Sequence, residues 1–255
     1  MQAATAVAHN LVLHPAAAQS VRVLSTTLGR DKVYRAVQYF ARFYAWALIQ
    51  QGNKLDAARW NALKSHLALG RKLLRLFKPL EHVQAAARGT QSPLLRTSPL
   101  EQYLAILRQV SYAGYLTLDG VVWANTVRFV NLTPDKGTKV LKNSLRFWLA
   151  GILFSIAQGL LKAGRLANEA KAIKLSEKPV AGEKDIAQEV ETGTRLKALT
   201  VERKAVRYQL ILDTLDVWLP ATGLALVNVN DGIAGILGLI TSLMALRNSW
   251  KQAAR

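Results

Sequence analysis

Residues 56–78 read DAARWNALKSHLALGRKLLRLFK. Placed on a helix at about 100° per residue, Trp60, Leu63, Leu67, Leu74 and Phe77 share one arc, with Gly70 among them and Leu73 at its edge. Lys64, Arg71, Lys72, Arg75 and Lys78 share the adjacent arc. Apart from Asp56, no acid occurs before Glu81. The spacing predicts one amphipathic helix with a purely cationic polar side, opened by Asp56 in its first turn and limited by Pro79. An ordinary surface helix on a soluble core would mix Glu with its Lys. A greasy helix with cations alone suits a membrane interface, where the apolar side enters the acyl boundary and the bases meet anionic head groups. Trp60, Leu63, Leu67, Leu74 and Phe77 are the expected inserting residues. Lys64, Arg71, Lys72, Arg75 and Lys78 are the expected head-group ligands.

Outward from this segment the pattern persists. Residues 30–50 carry Arg30, Lys32, Arg35 and Arg42 together with Tyr34, Tyr39, Phe40, Phe43, Tyr44 and Trp46. Tyr and Trp favour bilayer interfaces, and Val33, Val37, Phe40, Tyr44 and Ala47 also form a stripe suited to packing. The chain holds 34 Lys and Arg against 16 Asp and Glu, a net charge of +18. Fourteen of those bases and three of the acids lie in the first hundred residues, whereas residues 210–255 balance at three and three. Such an excess calls for an anionic partner. An anionic phospholipid membrane accounts for both the bases and the neutral, apolar C-terminal end. Nucleic acid accounts only for the bases, so no nucleic-acid partner is expected.

The whole of the sequence reads as helices punctuated by Pro15, Pro79, Pro93, Pro99, Pro134, Pro179 and Pro220. The expected fold is all-α: a membrane-associated helical bundle with amphipathic N-terminal helices and one or two short apolar membrane segments near the C-terminal half. Residues 1–100 form a basic amphipathic-helix region and 101–175 a central helical region. Residues 176–194, with mixed charges around Pro179, Gly182 and Gly193, read as a flexible linker, and 195–255 as C-terminal helices. Residues 147–161 contain no charge and are the first candidate membrane segment. Residues 217–246 contain one, Asp231, and are the second. Fifteen residues span roughly 22 Å, short of the ~30 Å hydrocarbon core, so basic flanks must snorkel or the bilayer thin. Gly151, Ser155 and Gly159 make a small-residue strip on the first segment, and Ala234, Gly238 and Ser242 one on the second. Such strips let helix backbones approach closely, here for helix packing or self-association.

Catalytic constellations are missing from the sequence. It has no cysteine, no Gly-rich phosphate loop, and its histidines (His9, His14, His66 and His82) lack ligand spacing. Asp213 and Asp216 share a helical face and read as a helix-terminal or interhelical polar contact rather than an acid pair. No enzyme activity, cofactor or metal is expected. Asp119, Asn228, Asn230 and Asp231 are the residues that a rival reading, a pore-forming metabolite channel, would need.

Two blocks carry a resemblance. Residues 24–48, with Thr26, Thr27, Gly29-Arg30-Asp31-Lys32, Gln38-Tyr39-Phe40, Arg42-Phe43 and Trp46, resemble the N-terminal signature of the peroxin-eleven family. Residues 213–250, with Pro220, Asp231-Gly232, Gly235, Gly238, Ser242, Arg247 and Trp250, resemble its C-terminal part. The length and the linker resemble filamentous-fungal members. The resemblance implies a peroxisomal membrane protein with its N-terminal region in the cytosol, which elongates and tubulates the organelle before fission. It also implies that the family's amphipathic helix corresponds to residues 56–78. Self-association and cooperation with a dynamin-related GTPase and its fission adaptor are implied in the same way.

Overall fold

The computed structural model describes residues 12–91, 98–176 and 186–254. In chain order they form α1 (Pro15–Ser25), α2 (Thr27–Gln50), α3 (Lys54–Leu74), α4 (Lys78–Gln91), α5 (Pro99–Thr126), α6 (Pro134–Ser176), α7 (Ile186–Asp216), α8 (Trp218–Gly223) and α9 (Asp231–Ala253). Among the described residues there is no strand. Local chemistry sets most of the starts. Pro15, Pro79, Pro99 and Pro134 sit in first turns, where a missing N–H costs nothing. The side chains of Thr26, Asn53, Ser98 and Asn230 accept the backbone N–H three residues on, at 2.9–3.2 Å.

The helix expected over 56–78 is two helices. α3 ends at Leu74, residues 75–77 turn, and α4 begins at Lys78. Pro79 therefore opens a helix instead of limiting one, and the helix over 78–91 was not anticipated. The segment expected as a linker is helical from Ile186 onward in α7, while 177–185 lie outside the described residues. Two helices are long and apolar enough to cross a membrane, Pro134–Ile173 and Asp231–Ala253. α6 has 43 residues, about 65 Å of helix and twice a hydrocarbon core, and α9 has 23, about 35 Å.

The packing runs as a loop. α2 and α3 form a hairpin whose turn uses Gly52 at φ +79°, a left-handed conformation that suits glycine. α4 packs on α5, α5 on α6 and α6 on α7; after α8 the chain returns as α9 along α2. Glycines create that last contact. A Cβ on Gly232 would meet the Trp46 ring, on Gly235 the backbone of Phe43, and on Gly238 the Tyr39 ring. Three aromatics of α2 thus lie in a glycine groove of α9, antiparallel and one rung per turn. The buried positions of α2 are mostly small or polar, namely Gly29, Asp31, Ala36, Ala41 and Ala45, with Tyr39 and Leu48 as the large ones. An apolar cluster of Leu166, Ala170, Leu199 and Val206 joins α6 to α7. A second cluster, Tyr39, Leu219 and Ala234, ties α2, α8 and α9 together beside Trp148.

Two substitutions test this packing. In Gly235→Ala the new Cβ stands 2.7 Å from the Phe43 nitrogen, so α9 must move off α2, a loss of about 1–3 kcal/mol. Gly70→Ala, in open space within α3, should gain about 0.5–1 kcal/mol. Thermal unfolding of the detergent-solubilised protein should therefore separate the two variants in opposite directions from wild type.

Candidate functional site

α3 is inverted relative to an ordinary surface helix. From Leu55 to Leu73 its exposed positions are Leu55, Ala58, Arg59, Ala62, Leu63, Ser65, His66 and Leu73, with one formal charge. The apolar face continues over the elbow into α4: Phe77 is 82% exposed and Leu80 is 62% exposed. Of the expected inserting residues, Leu63 and Phe77 point outward, while Leu67 and Leu74 are half-buried. Trp60 stands edge-on to Phe40 and Tyr44, at ring-centroid distances of 5.7 and 4.9 Å, and those two rings stack on each other at 5.8 Å.

The cationic arc faces the bundle. Arg71 is buried, its Nε donating to Asp31 Oδ1 at 3.0 Å and its Nη1 to Gln38 at 2.7 Å. Lys72 donates to Asp119 Oδ1, and Arg75 to Asp119 Oδ2 at 2.8 Å and to the Tyr115 hydroxyl at 3.3 Å. Lys64 lies 4.0 Å from Asp231 Oδ2, an acid that Arg42 also holds, at 2.6 Å. Lys78 lines a cavity at the head of α4. Three of the five expected head-group ligands, Arg71, Lys72 and Arg75, are thus taken up by acids on α2 and α5. Periodicity places such residues on a common face but does not tell which way the face points. The acids that turn it inward, Asp31 and Asp119, stand 40 or more positions away.

Further pairs bind the other helices. Arg35 of α2 holds Asp216 of α7 through both carboxylate oxygens, at 2.7 and 2.8 Å, and Thr241 of α9 donates to the same carboxylate at 2.7 Å. Asp213 accepts from Ser155 at 2.5 Å and Gln209 at 2.9 Å. Glu101, buried in α5, accepts from Arg165 of α6 at 3.0 and 3.3 Å. The pairing of Asp213 and Asp216 is structural, with separate partners for each. Burial raises the Asp31 carboxyl, but Arg71 with Lys32 and Arg75 outweighs it and holds the group below its ordinary range. Burial pulls the Lys32 amine down to about 8, against the pull of Asp31 and with the help of Arg35 and Arg71. Burial raises Asp213.

The small-residue strips are occupied within the chain. Gly151 lies under Ser111 and Tyr112 of α5, Ser155 reaches Asp213, and a Cβ on Gly159 would strike Leu210 of α7 at 2.7 Å. Ala234 and Ser242 are buried, with Gly238 on the Tyr39 ring and the Ser242 hydroxyl on the Gly238 carbonyl. Among the channel candidates, Asp119 and Asp231 are ion-paired and Asn230 caps α9. Among the described residues no group of three or more His, Asp or Glu is placed to hold a metal.

Removing one member of a buried pair leaves the other unpaired, which costs about 3–5 kcal/mol, against 1 kcal/mol or less at an exposed site. Asp119→Asn, which strands Lys72 and Arg75, should therefore destabilise the protein several-fold more than Asp231→Asn, whose carboxylate is 49% exposed. Midpoints of urea unfolding in micelles measure the difference.

Comparison with known proteins identifies the family of the chain. The profile of the family described as peroxisomal biogenesis factor 11 matches residues 17–250. "Peroxisomal biogenesis factor 11" of Schizosaccharomyces pombe is 29% identical, over 90% of this chain and 93% of its own. "Peroxisomal membrane protein PMP27" of Saccharomyces cerevisiae is also 29% identical, over 96% and 99%. "Peroxisomal membrane protein 11B" of Homo sapiens is 23% identical, over 89% and 94%. No solved structure matches the chain. The two blocks of the sequence resemblance meet in space through Arg35 and Asp216, Arg42 and Asp231, and the aromatic–glycine ladder of α2 and α9. With a profile match that runs through α1 to α9, the chain belongs to the peroxisomal biogenesis factor 11 (PEX11) family.

Proposed function

We propose that this protein remodels the peroxisomal membrane by pressing the apolar outer face of α3 and the α3–α4 elbow into one leaflet. As a member of its family it is a peroxisomal membrane protein of peroxisome proliferation. The observation that carries the mechanism is the inverted distribution of polarity. Asp31, Arg71, Glu101, Asp119 and Asp213 are buried, while Leu73, Phe77, Leu80 and Phe129 are exposed. In water this arrangement would be unfavourable twice over. In lipid it is the expected one, because charges face the bundle interior and apolar side chains face the acyl chains. Each large apolar side chain moved from water to lipid contributes about 1.5–3 kcal/mol, so Leu63, Leu73, Phe77 and Leu80 suffice to hold the elbow in the head-group region. Trp60, Phe40 and Tyr44 supply the aromatic belt beside it.

A wedge in one leaflet expands that leaflet and favours positive curvature. Its cytosolic side is the reading that fits outward tubulation, with the α3–α4 elbow at that side and α6 and α9 as the anchors. Of the expected cations, Lys64 is the one left to meet head groups at the wedge's edge, since Arg71, Lys72 and Arg75 are held by acids and Lys78 lines the cavity at the head of α4. Self-association through faces other than the two strips would concentrate wedges, and a dynamin-related GTPase with its adaptor would act on the tubule so formed.

The test uses the purified protein and liposomes containing anionic phospholipid, examined by electron microscopy. Wild type should draw tubules. Leu73→Glu and Phe77→Glu, both at exposed positions, should abolish tubulation while circular dichroism stays helical. Leu67→Glu and Leu74→Glu, half-buried, should lose tubulation together with stability. Normal tubulation by both outward variants would overturn the wedge.

A further inference from the structure

Between α2, α3, α4, α5 and α6, closed on one side by the end of α7, lies a half-open cavity of about 450 Å³. Seven Lys and Arg line it against three Asp. The three acids are committed: Asp31 to Arg71, Asp216 to Arg35, and Asp119 to both Lys72 and Arg75. That leaves the cavity about four positive charges in excess. The surplus falls on identifiable groups. Arg108 of α5 has its guanidinium over the Tyr112 ring at 5.8 Å, and its Nε is buried with no hydrogen-bond partner. Among the described residues no carboxylate lies within ion-pair distance of Arg108 or of Lys78. Lys32 shares Asp31 with Arg71, at 3.7 Å.

We infer that this cavity is a binding site for a phosphorylated anion. A buried Nε without a hydrogen-bond partner is costly, and an anion in the cavity would offset both that cost and the excess of positive charge. A tetrahedral phosphate accepts from several directions at once and suits arginine forks and lysine ammonium groups together. A volume of about 450 Å³ lies in the range of small-molecule sites and exceeds what a lone phosphate fills. The ligand is therefore an organic phosphate or a phosphorylated lipid head group, and the chemistry recognised is the phosphate monoester common to both. Gln109, which meets His82 at 2.7 Å on the wall, and Tyr115 supply polar groups for the remainder of such a ligand. The site is separate from the outward face of α3 and does not depend on the wedge.

Calorimetric titration of the full chain in nanodiscs of neutral phosphatidylcholine, with inositol hexakisphosphate as soluble probe, tests this. A second arm replaces the probe with nanodiscs containing phosphatidylinositol 4-phosphate, read by thermal stabilisation. Saturable binding in the first arm supports a soluble source, and stabilisation only in the second supports a lipid source. In either case Arg108→Gln and Lys78→Gln should each weaken binding by about tenfold. Lys139→Gln, an equal charge change on an exposed turn of α6, should leave it within twofold. Lys78 stands at the rim, so its variant remains informative if Arg108→Gln does not fold. No response in either arm, or an equal loss in the Lys139 variant, would overturn the assignment.

Discussion

Buried carboxylates gripped by bases from other helices are the constraint on which the rest of this structure depends. Asp31, Asp119 and Asp216 each belong to one helix and are satisfied by another. In a bilayer an unpaired charge has no water to fall back on, so these contacts fix which helices are neighbours and in what register. Apolar packing cannot do this alone, since a lipid tail serves a leucine as well as a neighbouring helix does. The large buried hydrophobics are accordingly few, and much of the interior is alanine, serine, threonine and glycine.

The same economy explains the outside. Once the charges of Arg71, Lys72 and Arg75 are spent on Asp31 and Asp119, the exposed positions from Leu55 to Phe77 are mostly apolar and carry one formal charge, Arg59. The mechanism and the fold are therefore not independent choices. The basic residues that shape the inner wall are what make the outer wall greasy, and the excess of bases over acids in that wall creates the positively charged cavity. One side of this helix, with Arg71 and Lys72, is both a structural clamp and a wall of the cavity, and the opposite side is the proposed lipid-facing surface.

Much of this could be read from the sequence. Helix content, the proline-marked starts, the two apolar segments and the amphipathic character of 56–78 all follow from local chemistry. What escaped was long-range. The arc of Arg71, Lys72 and Arg75 is plain on a wheel, but its direction depends on acids 40 to 48 residues away in sequence. The break at 75–77 is hidden because Arg75 and Leu76 are good helix formers, and a proline two residues after Phe77 looks like a stop when it is also a good first-turn residue. The strips at Gly151 and Gly238 were legible as close-approach surfaces. That their partners are α5, α7 and α2 of the same chain was not, because small side chains permit contact without selecting a partner. Asp213 and Asp216 were legible as interhelical contacts, though Ser155 and Arg35 as their partners were not.

The antiparallel ladder of α2 and α9 has a mechanical consequence. Gln19 of α1 donates to the Trp250 carbonyl at 2.8 Å, so the start of α2 and the finish of α9 lie at one end of the pair. Tension applied to those two ends does not shear the ladder but peels it. Tyr39 leaves Gly238 first, then Phe43 leaves Gly235, and Trp46 leaves Gly232 last. Load is borne by one rung at a time, so the pair parts gradually; the Arg42–Asp231 ion pair that bridges the same two helices opens with it, while Arg71–Asp31 and Arg75–Asp119, which join other helices, remain closed.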